Sequence, residues 1–299
     1  MNISIGIIVF NEEKNIVHLL HSIEKQILKS IKIEEIIVVS SGSVDRTNAL
    51  VSSYAEKNLT IKLITQAKRQ GKASAVNIFL KQAKNEVVVI MGGDLLLKKD
   101  TIENLVKPLA DPSIGIVGSH PIPVNNSNTL MGYAAHLMWG LHHQISLHKP
   151  KMGEMIAFRK VFHKIPVLSA VDEANIEPLI RGQGYIAIYE PKAIVYNKGP
   201  ETIGEFIARR RHIAYGHYCV KKEYSYEVST LNSFNIVGLL IKNIKFSWRF
   251  LIWTPAIVSL EVYSRFLGFV DYKLKLKNHT IWQVTPSTKQ IVTAGRPND

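Results

Sequence analysis

Ile36-Ile37-Val38-Val39-Ser40-Ser41-Gly42-Ser43-Val44-Asp45-Arg46-Thr47 runs from four apolar, β-branched residues into a hydroxyl-rich turn around one glycine, and then into a segment that begins a helix near Asp45. A short continuous apolar run bounded by turn residues reads as a strand covered on both faces. The same order recurs on either side of it. Residues 3–10 form an apolar run that ends at Asn11-Glu12-Glu13, followed by Ile16, Leu19, Leu20, Ile23 and Ile27 at helical spacing. Residues 61–64, 87–91 and 114–117 continue the strand series, with helices expected over about 72–83 and 101–109. Strands that alternate with helices of this length make βαβ units and a mainly parallel sheet, in an α/β fold. Ligands of such sheets bind beyond the carboxyl ends of the strands. The polar loops fall there: Phe10-Asn11-Glu12, residues 40–45, residues 66–72 and Gly92-Gly93-Asp94.

The second half changes character. Helices are expected over 129–147, 171–182 and 202–222, and strands over 154–158, 186–189 and 193–196, the last two flanking Pro191. From about residue 231 aromatic and aliphatic side chains dominate, interrupted by Lys242, Lys245, Arg249, Glu261 and Arg265. The longest charge-free run there, 250–260, is about half of the roughly 20 residues a spanning helix needs, and it contains Pro255. Residues 231–272 are therefore expected to lie in a membrane interface, with apolar residues in the bilayer and cations at anionic headgroups. The chain divides in this reading into a catalytic-type domain over 1–225 and an amphipathic helical region over 226–299.

With 299 residues and 46% hydrophobic content, the chain can bury a core without staples, and a lone Cys219 excludes an internal disulfide or a cysteine-based zinc cluster. The early apolar run, cut short by acidic residues, does not have the pattern of a signal peptide, so a cytoplasmic location is expected, peripheral on the inner face of the membrane. A net charge of +13 favours anionic partners. No nucleic-acid recognition motif accompanies that charge, so nucleic acid is not expected among them.

Several clusters carry chemistry. Asp94 either holds Mg²⁺ or Mn²⁺ on a diphosphate, a task that takes one or two carboxylates plus phosphate oxygens, or caps a turn. Lys68, Arg69, Gly71 and Lys72 form a cationic loop suited to phosphate, or a solvated basic loop. Asp172 and Glu173 stand at a helix start, where a carboxylate can take a proton from an acceptor hydroxyl or simply answer the helix dipole. Arg209, Arg210, Arg211 and His212 place cations on one helix, fit either for a leaving diphosphate or for a basic surface. His142, His143 and His148 lack the i, i+4 spacing of a helical metal site and are read as packing groups.

Taken in order, these pieces resemble glycosyltransferase family 2, the nucleotide-sugar-dependent enzymes with a GT-A fold. The resemblance covers about residues 2–220. It rests on the opening Ile8-Val9-Phe10-Asn11-Glu12-Glu13, the 36–47 segment, Arg69-Gln70-Gly71-Lys72, Met91-Gly92-Gly93-Asp94, the 172–173 acids, and Gly184-Tyr185 ahead of Tyr189-Glu190-Pro191. Trp282 and Ser287-Thr288-Lys289 are similar to the C-terminal region of membrane-associated members.

The resemblance implies inverting transfer of a single sugar from a nucleotide-sugar donor to a hydroxyl acceptor, lipid-linked or on a membrane-proximal glycan. The nucleotide would contact Phe10, Asn11, Glu12, Ser40, Ser41, Arg69, Lys72 and Gly93. Asp94 would hold the divalent cation, Mn²⁺ or Mg²⁺. Glu173 would be the catalytic base with Asp172 as its alternative, and Arg210 or Arg211 would stabilise the leaving diphosphate. Ser40-Ser41 and Gly92 stand where the family commonly has carboxylates, which implies relaxed selection of the nucleotide base. Ala208 and His212 replace the glutamine and tryptophan of the processive signature. A degenerate member that binds nucleotide without catalysis is the alternative.

Overall fold

A computed structural model describes residues 1–167, 172–224, 247–277, 279 and 281–291, with Asp172 and Glu173 described in backbone only. Residues 225–246, which include the first part of the expected interfacial region, lie outside the described residues.

The N-terminal half follows the expected alternation: β1 (Asn2–Val9), α1 (Ile16–Glu24), β2 (Lys32–Ser41), α2 (Thr47–Ala55), β3 (Ile61–Gln66), α3 (Lys72–Gln82) and β4 (Val87–Gly92). A three-residue β5 (Leu95–Leu97), α4 (Thr101–Val106) and a 3-10 turn (Lys107–Ala110) lead to β6 (Ile114–Pro123). Then come α5 (Leu130–Ser146), β7 (Met155–Arg159), α6 (Asp172–Arg181), β8 (Ile186–Asn197), α7 (Ile203–Tyr224) and α8 (Trp248–Leu274).

The strands form one eight-stranded sheet in the order β3-β2-β1-β4-β7-β6-β8-β5. Pairings β1/β2, β1/β4, β2/β3 and β6/β8 are parallel. Strand β7 runs antiparallel to both its neighbours, and β5 antiparallel to β8. One sheet face packs Ile3, Ile5, Ile7 and Val9 against Leu19 and Leu20 of α1, and the other packs Val39, Val88 and Ile90 against Phe79 of α3 and Ile176 of α6. Apolar residues on both sides of each central strand are what a doubly covered sheet requires.

The strands expected on either side of Pro191 are a single twelve-residue β8. Its register against β6 jumps from Gly118↔Tyr189 to His120↔Ile194. Proline donates no backbone hydrogen bond, so it is accommodated where pairing is interrupted. The short β5 carries no periodic signal, and its pairing with the distant β8 creates it.

Helix α8 reverses the usual polarity of a packed helix. Thr254, Ser264 and Asp271 are buried, whereas Trp248, Leu251, Ile252, Val262 and Phe266 are exposed. Its polar side meets α7: Arg210 makes two hydrogen bonds of 2.6 Å to Glu261, and Arg211 makes two of 2.5 Å to Asp271. A Cβ on Gly268 would stand 2.6 Å from the Arg211 carbonyl oxygen, so only glycine lets the two helices approach this closely. By length and composition α8 is able to cross a membrane. It lies along α7, and Tyr133 of α5 hydrogen-bonds Thr254 at 2.9 Å.

Removing one partner of a largely desolvated ion pair leaves a stranded charge, at a cost of about 3–5 kcal/mol. Glu261 is 13% exposed and also receives Arg265 at 2.7 Å. Glu261→Ala is therefore expected to lower the thermal melting point sharply. A melting curve within one or two degrees of the parent would show that α8 is not held through this contact.

Candidate active site

The polar loops converge at the carboxyl ends of β1, β2 and β4 on a cleft of about 290 Å³. Asn11 has φ 51° and bridges two of these loops: its amide N–H donates to Ser43 Oγ at 3.0 Å and its Oδ1 accepts from Val44 N–H at 2.9 Å. Gly42, at φ 73°, lets the 40–45 turn press against the backbone of Arg69, which a Cβ would meet at 2.6 Å. Only a residue without a side chain fits both conditions.

Phe10, Glu12, Ser41, Arg69, Lys72, Gly93 and Asp94, all expected from sequence, line the cleft. The Arg69 guanidinium lies 3.9 Å from the centre of the Phe10 ring, a cation–π contact that holds both side chains. Asn11 and Ser40 are not on the cleft wall. Asn11 ties the loops together, and Ser40, fully buried, donates to Ser43 Oγ at 2.9 Å. Of the two serines standing at the family's base-reading positions, only Ser41 reaches the cavity.

Arg210 and Arg211 need correction. Both are drawn away by Glu261 and Asp271, and neither lines the cleft. Arg209, the preceding residue on α7, does line it, 3.0 Å from Glu154 and with its guanidinium 5.9 Å from the Trp282 ring centre. Three consecutive arginines point about 100° apart on a helix, so only one can face a given cleft, and sequence alone does not say which.

Glu173 and Asp172 open α6, but their side chains fall outside the described residues. Ala174 and Glu177 of the same helix line the cleft, so the expected base sits one turn before a cleft residue.

The C-terminal segment supplies what the sequence did not place. Residues 281–291 fold back over the cleft as a strap. Trp282 offers its carbonyl to Arg69 at 2.6 Å, Ile291 donates its N–H to Asn15 Oδ1 at 3.0 Å, and Ser287 N–H donates to Glu205 at 3.1 Å. Lys289 donates to the Phe10 carbonyl at 2.9 Å and makes an ion pair with Glu12. The cleft thus takes residues from both sides of the boundary expected at 225/226. Lys151, Glu154, Trp139 and His217 also line it, and no motif announced them. Of the three histidines read as packing groups, His143 stacks on His120 with ring centres 4.1 Å apart and His142 meets Trp139 edge-on at 5.1 Å, whereas His148 is exposed.

Burial pushes the Glu12 carboxyl up to about 7 from its ordinary 4.5; Asp94 adds to the rise, and Lys289 and Asn15 pull against it. Because the folded chain binds this proton more tightly than the unfolded chain, stability falls as pH climbs from 4.5 through about 7. The full loss is on the order of 3 kcal/mol. Glu12→Gln should flatten this part of the profile. Melting curves at pH 5 and pH 8 that change equally in parent and variant would contradict it.

Asp94 stands beside Glu12 in a cleft that also presents Arg69, Lys72, Arg209 and Lys289. One or two carboxylates facing phosphate-binding cations fit a divalent ion that takes its remaining ligands from a diphosphate and water. Among the described residues, no group of three or more His, Cys, Asp or Glu side chains could hold a metal without such help.

The family model described as glycosyl transferase family 2 matches residues 4–173, more than half of the chain, and the chain belongs to that family. It is 26% identical over 196 residues to poly-beta-1,6-N-acetyl-D-glucosamine synthase of Staphylococcus aureus, which covers 61% of this chain and 47% of that one. Over 103 residues it is 32% identical to the dolichyl-phosphate beta-glucosyltransferase ALG5C of Trichomonas vaginalis, covering 34% of this chain and 28% of that one. The chain thus spans about half the length, or less, of these curated relatives.

Among solved structures, the mannosyltransferase PcManGT from Pyrobaculum calidifontis, in complex with GDP-Man and Mn²⁺, superposes with a TM-score of 0.66 at 22% identity, covering 92% of this chain and 88% of that one. Residues 1–349 of S. aureus TarS give 0.52 at 19%, covering 91% and 89%. The fold is accordingly GT-A, a mixed α/β sheet flanked by helices.

Proposed function

We propose that this chain transfers a single sugar, with inversion, from a nucleotide-sugar donor to a hydroxyl of a lipid-linked or membrane-proximal glycan acceptor. The observation that carries this reading is the pairing, in one cleft at the strand ends, of Asp94 and Glu12 with Arg69, Lys72, Arg209 and Lys289. Carboxylate for metal and cations for diphosphate are what a nucleoside diphosphate leaving group needs. The relatives' donors support it, since the solved neighbours carry GDP-Man and, for TarS, UDP-GlcNAc.

In this mechanism Phe10, Ser41 and Arg69 hold the nucleotide, and Gly93, whose missing side chain makes room for Val9 and Glu12, lines the cleft beside them. Asp94 would hold Mn²⁺ or Mg²⁺, which would screen the diphosphate charge. Glu173 takes the proton of the acceptor hydroxyl as its oxygen attacks the anomeric carbon from the face opposite the diphosphate. The bond from that carbon to the diphosphate oxygen breaks, and its electron pair leaves with the nucleotide. Arg209 and Lys289, the cations lining the cleft from α7 and the strap, take the part that sequence gave to Arg210 and Arg211.

The outward apolar side of α8 supports attachment to the cytoplasmic leaflet, with Arg249 at one end and Lys273, Lys275 and Lys277 at or beyond the other. The chain should sediment with vesicles containing anionic lipid and be released by high salt or alkaline carbonate. Resistance to carbonate would mean that α8 spans.

A donor panel with mass detection of products tests the reaction. With Ser41 as the hydroxyl that reaches the cleft, guanosine and uridine donors should differ little, because a hydroxyl both donates and accepts. Strict uridine selection would overturn the serine argument, and tight binding without turnover of any donor would make the chain a degenerate, nucleotide-binding member.

A further inference from the structure

Helix α7 presents one stripe to the donor cleft. Arg209, Ile213 and His217 stand four residues apart and all line it, whereas Arg210, Arg211 and Ala214 meet α8. Arg209 pairs with Glu154 at 3.0 Å. His217 is 7% exposed, and among the described residues nothing hydrogen-bonds its imidazole. Burial holds its pKa well below the ordinary histidine value, and Lys151, Arg210 and Arg265 push the same way against Glu261, so the ring is uncharged in neutral solution.

A neutral imidazole carries one donor and one acceptor, and buried polar groups are ordinarily paired. An open one on a cavity wall points to a partner that the cavity receives. Phosphate is a poor match, because its ionised oxygens only accept and a neutral ring lends no charge to the bond. A sugar hydroxyl, which both donates and accepts, suits either ring nitrogen.

The position of His217 says which sugar. A second cavity of about 380 Å³ between α5, α7 and α8 shares Trp139, Lys151, Met152, Glu154, Arg209 and Ile213 with the donor cleft, so the two meet there. Ala174, Glu177 and His217 line the cleft alone, outside that junction. Glu154 leads directly into β7, whose Met155 pairs with Met91 of β4, which sets this wall beside Gly93 and Asp94. A nucleotide-sugar carries its glycosyl group on the outer phosphate. With the diphosphate at Asp94, Arg69 and Lys72, that group occupies the adjoining part of the same cleft, where His217 stands close enough to Lys151 to feel its charge.

We infer that His217 hydrogen-bonds a hydroxyl of the donor's sugar and so takes part in choosing which sugar is transferred. This rests on the glycosyltransferase reading and adds a specificity-determining residue to it. The part is recognition: proton transfer stays with the carboxylate that opens α6.

The test is calorimetric titration of the full chain, with Mn²⁺ present, using UDP-glucose, UDP-N-acetylglucosamine and GDP-mannose, each beside its bare nucleoside diphosphate. His217→Phe keeps the bulk of the ring and removes both nitrogens. It should weaken the tightest-bound nucleotide-sugar by about threefold to tenfold, the worth of one neutral hydrogen bond, and leave the bare nucleotide within about twofold. His217→Gln, which keeps a donor and an acceptor, should bind that nucleotide-sugar more tightly than His217→Phe does. In the parent, the imidazole nitrogen resonances of His217 should move when the nucleotide-sugar is added and stay in place with the bare nucleotide, a reading that does not depend on how the variants fold. Equal losses for nucleotide and nucleotide-sugar would make His217 a packing residue, and lost turnover with intact donor binding would assign it to the acceptor; either overturns the inference. If parent and variants bind nucleotide-sugar alike, this inference fails alone. If the parent binds none of the panel, the glycosyltransferase reading falls and takes it along.

Discussion

Asp94→Ala is expected to abolish Mn²⁺-dependent binding of nucleoside diphosphate. The residue stands two positions after the end of β4, lines the cleft, and lies close enough to Glu12 to raise that residue's affinity for a proton. Glu12 is engaged by Lys289 and Asn15, which leaves Asp94 as the carboxylate placed to meet a cation on the diphosphate. A ligand present at a hundred times its dissociation constant stabilises the folded chain by about 2.7 kcal/mol. The parent should show that increment in a thermal-shift assay with GDP or UDP and Mn²⁺, and the variant should show none. Equal shifts in the two proteins would mean that Asp94 only turns the chain between β4 and β5.

Glu173→Gln is expected to lower kcat by about 10² to 10⁴, the usual contribution of a positioned general base, with donor affinity nearly unchanged. The amide keeps the size of the side chain and loses its capacity to accept a proton. Asp172→Asn is the control. A larger loss from that change would exchange the roles of the two acids, and full activity in both variants would remove α6 from the proton transfer.

The fold was legible where local pattern and tertiary burial agree. The apolar runs of β1, β2 and β4 are buried on both faces, so each reads as a strand, and the polar residues that end them fall at the cleft. Strand β5 and the reversal of β7 were not legible. Three leucines carry no period, and antiparallel pairing of β7 with β4 depends on the path of the intervening chain. The site divides in the same manner. Glu12, Arg69 and Asp94 stand on loops directly after strands, where position follows from the strand itself. Lys151, Glu154 and the strap residues reach the cleft only through the path of α5 and α8, which no local spacing encodes. The choice of Arg209 over its two neighbours was decided by Glu261 and Asp271, fifty to sixty residues further along.

The strap also dictates when the site comes into being during synthesis. Its contacts join residues far apart in sequence: Arg69 to Trp282 across 213 positions, and Phe10 to Lys289 across 279. Closures of this range come late, after local structure has formed. At roughly 5–20 residues per second, translation delivers residues 281–291 seconds after the last strand has left the ribosome, with α8 emerging between the two. A nascent chain can therefore complete its sheet and form α8 while its cleft still lacks Trp282 and Lys289. A released chain truncated before residue 282 would keep α8 and its outward apolar side, yet lack the strap contacts to Arg69 and Phe10.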